Sequence, residues 1–135
     1  MTQEELLLLQ KSLDEFLTLT SSNAEGISLK MPLKYSKYLA VYLEELEVYK
    51  NLLADKEKLF GQLFHHFKFE VDFKLDTLRE IEAKISSDDR FNALLKSINY
   101  QEKVIKFLEK SLENLKNIPF TIKNFIEIMK FKNGC

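Results

Sequence analysis

Apolar residues along this chain recur at helical spacing. Leu6, Leu9, Leu13, Phe16 and Leu17 fall on one helix face, and Thr2 with Glu5 forms a capping-box pair ahead of them. The pattern predicts a first helix over roughly 3–18. Residues 19–31 include Ser21, Ser22, Asn23 and Gly26 and read as a loop. Pro32 then suits the first turn of a second helix. From Tyr35 the apolar positions step by four and three: Tyr35, Leu39, Tyr42, Leu46, Tyr49 and Leu53, then, past Lys56, Phe60, Leu63 and Phe67. Such a heptad seam predicts one long helix over roughly 33–66. Gly61 costs that helix about 1 kcal/mol against Ala and reads as the mark of a close contact.

After this helix the period changes. Phe67, Phe69, Val71, Phe73 and Leu75 alternate with Lys68, Glu70, Asp72 and Lys74, which predicts an extended segment over 67–75. A short helix follows from Leu75 to Ile85, and Ser86 with Asp89 forms a second capping-box pattern. Phe91, Leu94, Ile98, Ile105, Leu108, Leu112 and Leu115 repeat the four-and-three stepping, with Gln101 at one seam position. They predict a second long helix over roughly 88–117, ended by Pro119. A last helix, Phe120 to Lys132, stops at Asn133–Gly134.

The fold expected is therefore all-α: a long antiparallel helical hairpin (32–117) with an N-terminal helix and loop (1–31), a short extended link and a C-terminal assembly helix (118–135), together a single domain over 1–135. The last helix has apolar groups around most of its circumference. Such a helix must be buried, and a small hairpin offers little interior to hide it. Its surplus predicts self-association through Phe120, Ile122, Phe125, Ile126, Met129 and Phe131.

Composition narrows the function classes. The 135 residues are 45% apolar and 30% charged, with three Gly and two Pro, which excludes a disordered or collagen-like chain. No apolar run approaches the roughly 18 residues that span a bilayer. Glu4 and Glu5 precede the leucine run Leu6 to Leu9, where a secretory signal would be basic. A cytoplasmic protein without membrane contact is expected. Cys135 is the single cysteine and has no internal disulfide partner. Net charge is −1 but uneven: residues 1–29 hold Glu4, Glu5, Asp14, Glu15 and Glu25 against Lys11, while residues 103–135 hold seven Lys against Glu109, Glu113 and Glu127. Of the 20 basic residues only Arg79 and Arg90 are arginine. Bidentate reading of base edges favours arginine, so nucleic-acid binding here would track the backbone without reading sequence.

Catalytic chemistry finds no support. The chain has no glycine-rich phosphate loop, no nucleophile set and no metal-ligand pattern. His65 and His66 are adjacent and point about 100° apart on a helix. Glu44, Glu45 and Glu47 fall away from the Tyr/Leu seam and read as a solvated face. No enzyme, metal or cofactor is expected. Cations and rings do interleave where the first long helix ends, at Lys56, Lys58, Phe60, Phe64, His65, His66, Phe67 and Lys68. Single-strand binders use this mixture, cations along the phosphates and rings under the bases. Phe60, Leu63 and Phe67 already belong to the seam, leaving Phe64, His65 and His66 as the rings expected to be exposed.

Four segments stand out: Tyr35-Ser36-Lys37-Tyr38-Leu39, Ile98-Asn99-Tyr100-Gln101-Glu102-Lys103-Val104, Pro119-Phe120-Thr121-Ile122-Lys123-Asn124-Phe125-Ile126-Glu127 and Lys130-Phe131-Lys132-Asn133-Gly134. They resemble the UvsY family, the recombination mediators of T-even-like phages and their marine relatives. Together they extend over most of residues 32–134. The resemblance implies a non-enzymatic protein of the host-cell cytoplasm that binds single-stranded DNA. It also implies a ring-like hexamer or heptamer, supported by the C-terminal region. The implied partners are the phage recombinase UvsX and the phage single-stranded-DNA-binding protein, with the mediator helping to load the recombinase onto coated DNA.

One motif departs from the family. There, a basic Lys-x-Arg precedes a Tyr-Tyr pair linked to DNA binding; here the region reads Leu59-Phe60-Gly61-Gln62-Leu63-Phe64-His65-His66-Phe67. The DNA-binding residues expected are Lys56, Lys58, Phe64, His65, His66 and Lys68, with Lys123, Lys130 and Lys132 as a second set. The rival reading is an oligomeric helical scaffold or adaptor that never touches DNA.

Overall fold

A computed structural model describes residues 1–17, 24–70 and 77–134. They form helices α1 (Gln3–Leu17), α2 (Ala24–His65), α3 (Leu78–Ser86) and α4 (Asp89–Lys132), with a π-helical turn at His66–Glu70. The fold is all-α. The chain divides into two units, one made of Met1–Glu44 with Val104–Cys135 and the other of Glu45–Lys103.

In the first unit, Leu13 of α1, Ile27 and Tyr38 of α2, and Val104, Leu108, Leu115, Ile118 and Ile122 of α4 are buried. The Thr2–Glu5 capping box forms as expected: Glu5 N donates to Thr2 Oγ1 at 3.1 Å and Thr2 N to the Glu5 carboxylate at 2.9 Å. Tyr38 Oη donates to the Leu9 carbonyl at 3.0 Å and ties α1 to α2. Tyr42 Oη donates to Glu109 at 3.1 Å and ties α2 to α4. Buried Ser111 satisfies its hydroxyl on the Phe107 carbonyl at 2.8 Å.

In the second unit α2 and α4 run antiparallel. Glu45 meets Gln101, Tyr49 meets Glu102 at 3.1 Å, and the Phe60 and Phe91 rings lie 6.4 Å apart. Leu63, Ile81, Ile85 and Phe91 make its core, with Leu59, Phe64, Phe67 and Leu95 packed around them. Short α3 contributes Ile81 and Ile85 and is held at its start by Thr77, whose hydroxyl accepts from Glu80 N at 3.2 Å.

Five expectations are corrected. The loop expected over 19–31 is helical from Ala24 onward, and Pro32 lies inside α2 rather than in its first turn. Ile27 and Tyr38 are buried with Met31 and Lys34 half-buried between them, so the packed face reaches back past the proline. Residues 18–23 lie outside the described set. Likewise α4 runs through Pro119 to Lys132, so the last helix is its continuation. Leu115, Ile118 and Ile122 keep the buried stripe on register across the proline. A proline inside a helix costs about 3 kcal/mol, and each buried Ile or Leu returns about 1.5–3 kcal/mol, so packing wins.

The segment expected to be extended over 67–75 is a π-helical turn as far as Glu70, and residues 71–76 lie outside the described set. Alternation would put Phe67 and Phe69 on one face. Instead Phe67 packs on the Leu63 core while Phe69 is 66% exposed. At the start of α4 the cap is Asp88, not Ser86 with Asp89: Asp88 Oδ1 accepts from Arg90 N at 2.9 Å and Phe91 N at 3.2 Å. Finally, a Cβ placed on Gly61 would meet nothing within 4 Å, so among the described residues this glycine marks no close contact.

Candidate nucleic-acid interface

The last turn of α2 and the π turn behind it carry the candidate site, in the second unit. Leu63 anchors this stretch in the core, and Phe64 and Phe67 pack against it on the inner side. The neighbours at His65, His66, Lys68 and Phe69 therefore face water. A π turn holds one more residue than an α turn, and here it brings the Lys68 ammonium close to two rings. The ammonium stands 5.6 Å from the centre of Phe64 and 5.4 Å from that of Phe69, within cation–π range. The His65 and Phe69 rings are 5.1 Å apart, as are those of His66 and Phe67.

Both imidazoles converge on one carboxylate. His66 Nδ1 is 2.9 Å and His65 Nδ1 3.3 Å from the oxygens of Glu70. The His66 hydrogen bond, with the two histidines beside it, holds the Glu70 carboxyl below the usual glutamate range. Beside them, Leu59, Gln62, Leu63, His66 and Arg90 line an open groove of about 300 Å³.

The structure thus brings Phe64, His65, His66 and Lys68 of the expected set into one cluster. Lys58 is exposed and Lys56 half-buried, two to three turns earlier on α2. Phe64 is half-buried against the core and stacks with Phe60 at 6.3 Å, so it offers less ring than its place in the pattern suggested. Phe69 was missed. Its signal was present as an aromatic beside Lys68, but the strand-like alternation placed it with Phe67. Lys123, Lys130 and Lys132 lie in the first unit, all exposed on the C-terminal part of α4. Of the residues expected to drive assembly, Phe120, Ile126 and Phe131 are exposed, Phe125 and Met129 half-buried, and Ile122 buried within the protomer.

The three-glutamate face expected to be solvated is also corrected: Glu45 is buried, beneath the Gln101 amide, whereas Glu44 and Glu47 are exposed. Among the described residues, no group of three His, Cys, Asp or Glu is placed to hold a metal ion, and no helix is long and apolar enough to cross a membrane.

Comparison with known proteins accords with this architecture. A family model described as "Recombination, repair and ssDNA binding protein UvsY" matches residues 12–135. Crystal structures of the recombination mediator protein UvsY of bacteriophage T4 share the fold. One superimposes with a TM-score of 0.82 at 20% identity, covering 98% of this chain and 98% of that one. A second gives 0.80 at 18% identity, covering 94% and 98%. No curated protein sequence matches.

Proposed function

Because this chain belongs to the UvsY family of recombination, repair and single-stranded-DNA-binding proteins, we propose that it acts as a recombination mediator. In this reading it binds single-stranded DNA and helps load a phage recombinase onto DNA already coated by the phage single-stranded-DNA-binding protein. It performs no catalysis and works in the host-cell cytoplasm. The observation that carries the reading is the exposed turn at the end of α2, where the Lys68 ammonium lies over the Phe64 and Phe69 rings with His65 and His66 beside it.

Lys56, Lys58 and Lys68 neutralise phosphates; Phe64, His65 and His66 offer planar groups on which bases stack. Lys123, Lys130 and Lys132 form a second phosphate-tracking set. Arginine is nearly lacking, so binding does not depend on base sequence. Assembly uses the C-terminal run from Phe120 to Phe131, whose members Phe120, Ile126 and Phe131 are exposed large apolar side chains. A ring-like hexamer or heptamer multiplies one weak DNA site into a strong one by avidity. DNA held in a shape that the recombinase prefers shifts its competition with the coating protein.

The test is the lag of recombinase filament formation on a coated oligonucleotide, followed by fluorescence. The mediator shortens the lag, and its Lys68→Ala variant does so less. A lag unchanged by saturating protein that binds the same DNA would leave single-strand binding without loading.

A further inference from the structure

The open groove beside the candidate interface joins two helices of the second unit. Leu59, Gln62, Leu63 and His66 lie along one edge of the chain where α2 passes into the π turn, at the spacing of a single helix face. Arg90, in the first turn of α4, closes the other side. Leu63 is buried and Leu59 half-buried, so the floor is apolar. Gln62, His66 and Arg90 are exposed and make a polar rim. The Arg90 side chain is steadied at one edge. Asp88 caps α4 through the backbone N–H groups of Arg90 and Phe91, and its second oxygen accepts from Arg90 Nη2 at 3.4 Å. The other guanidinium donors stay open, and the side chain is 71% exposed. His66 belongs both to this groove and to the exposed cluster, where it shares Glu70 with His65, so the two are continuous.

A nucleobase has two apolar faces and a polar edge, and the groove answers each. Leu59 and Leu63 offer a surface for one face. The planar guanidinium of Arg90 stacks on the other. The Gln62 amide is donor and acceptor at once, so it serves the edge of any base without selecting a sequence. A volume of about 300 Å³ has room for one base with its sugar, not for a stacked run. We propose that this groove holds one unstacked base of the strand whose phosphates lie on the neighbouring lysines. The proposal rests on the reading that the cluster at the end of α2 binds DNA, and it adds what separates single strand from duplex there. A duplex base reaches the groove only by breaking its pair and leaving the stack.

The test uses the full chain and anisotropy titrations of three labelled oligonucleotides of equal length: an ordinary single strand, the same strand with abasic sites throughout, and a duplex. Arg90→Lys keeps the charge and loses the planar group. Gln62→Ala removes the amide. Each should weaken binding of the ordinary strand about three- to tenfold and leave the abasic strand and the duplex unchanged. Both positions are exposed, and circular dichroism confirms that the variants are folded. An equal loss on ordinary and abasic strands, or an ordinary strand bound as before by one variant or both, would overturn the proposal. Lys68→Ala separates it from the reading beneath it. Groove variants without effect beside a weakened Lys68→Ala protein overturn the base site alone. A Lys68→Ala protein that binds all three as before overturns the phosphate site and the base site with it.

Discussion

The Gln101 side-chain amide donates to both the backbone carbonyl and a carboxylate oxygen of Glu45, each at 2.8 Å, within the second unit. Both residues are buried. Polar groups in an apolar seam weaken it unless satisfied, and a satisfied pair fixes which residues face each other. The register of α2 on α4 in this unit follows from it: Tyr49 on Glu102 and Phe60 near Phe91 lie where that register places them.

Gln101→Leu removes this donor and leaves the buried Glu45 carboxylate without it. Urea unfolding followed by circular dichroism should show a loss of about 1–3 kcal/mol. No loss would mean that the pair neither stabilises the seam nor sets its register.

Leu108 is fully buried in α4 of the first unit. Leu108→Ala should cost about 2–5 kcal/mol through lost burial and the cavity left behind. The same substitution at exposed Leu33 should leave the stability of the protomer nearly unchanged.

Alkaline pH should weaken the tyrosine ties. Burial raises Tyr38, with the nearby Asp14 charge acting the same way. Burial and the Glu109 carboxylate raise Tyr42, and the hydrogen bond to Glu102 raises Tyr49. A group whose pKa is higher folded than unfolded contributes stability below its ordinary value and loses it as pH rises through the folded one. Melting temperature should therefore fall above the ordinary tyrosine range, near pH 10. Tyr42→Phe/Tyr49→Phe protein should show a shallower fall.

Much of the fold was legible in the sequence. The α4 stripe from Phe91 to Leu115 is a plain four-and-three pattern, and Thr2 with Glu5 is a local signal that formed as written. What the sequence hid were places where distant packing overrides local chemistry. Pro32 and Pro119 are strong local breakers, but Ile27, Ile118 and Ile122 find burial on either side, and the helices continue through them. In α2 the stripe that reads best, Tyr35 to Leu53, is half-buried, whereas within that span Tyr38 and Glu45 are the buried positions. Periodicity names a face only to within a residue or so, and hydroxyl and amide partners decide the rest. At the candidate site the aromatic-basic cluster was visible by composition. Phe69 was not, because alternation is ambiguous between a strand and the end of a helix that widens by one residue.

The central claim is that the cluster at the end of α2 binds single-stranded DNA through phosphates. Its most direct test is the anisotropy of a labelled oligonucleotide, single- and double-stranded, titrated with protein at several salt concentrations. Three phosphate-bound lysines per site predict tight single-strand binding whose log affinity falls against log salt with a slope of about −2, and a slope shallower by about 0.7 in Lys68→Ala protein. Folded protein that fails to bind at low salt, or a slope unmoved by Lys68→Ala, would contradict the claim.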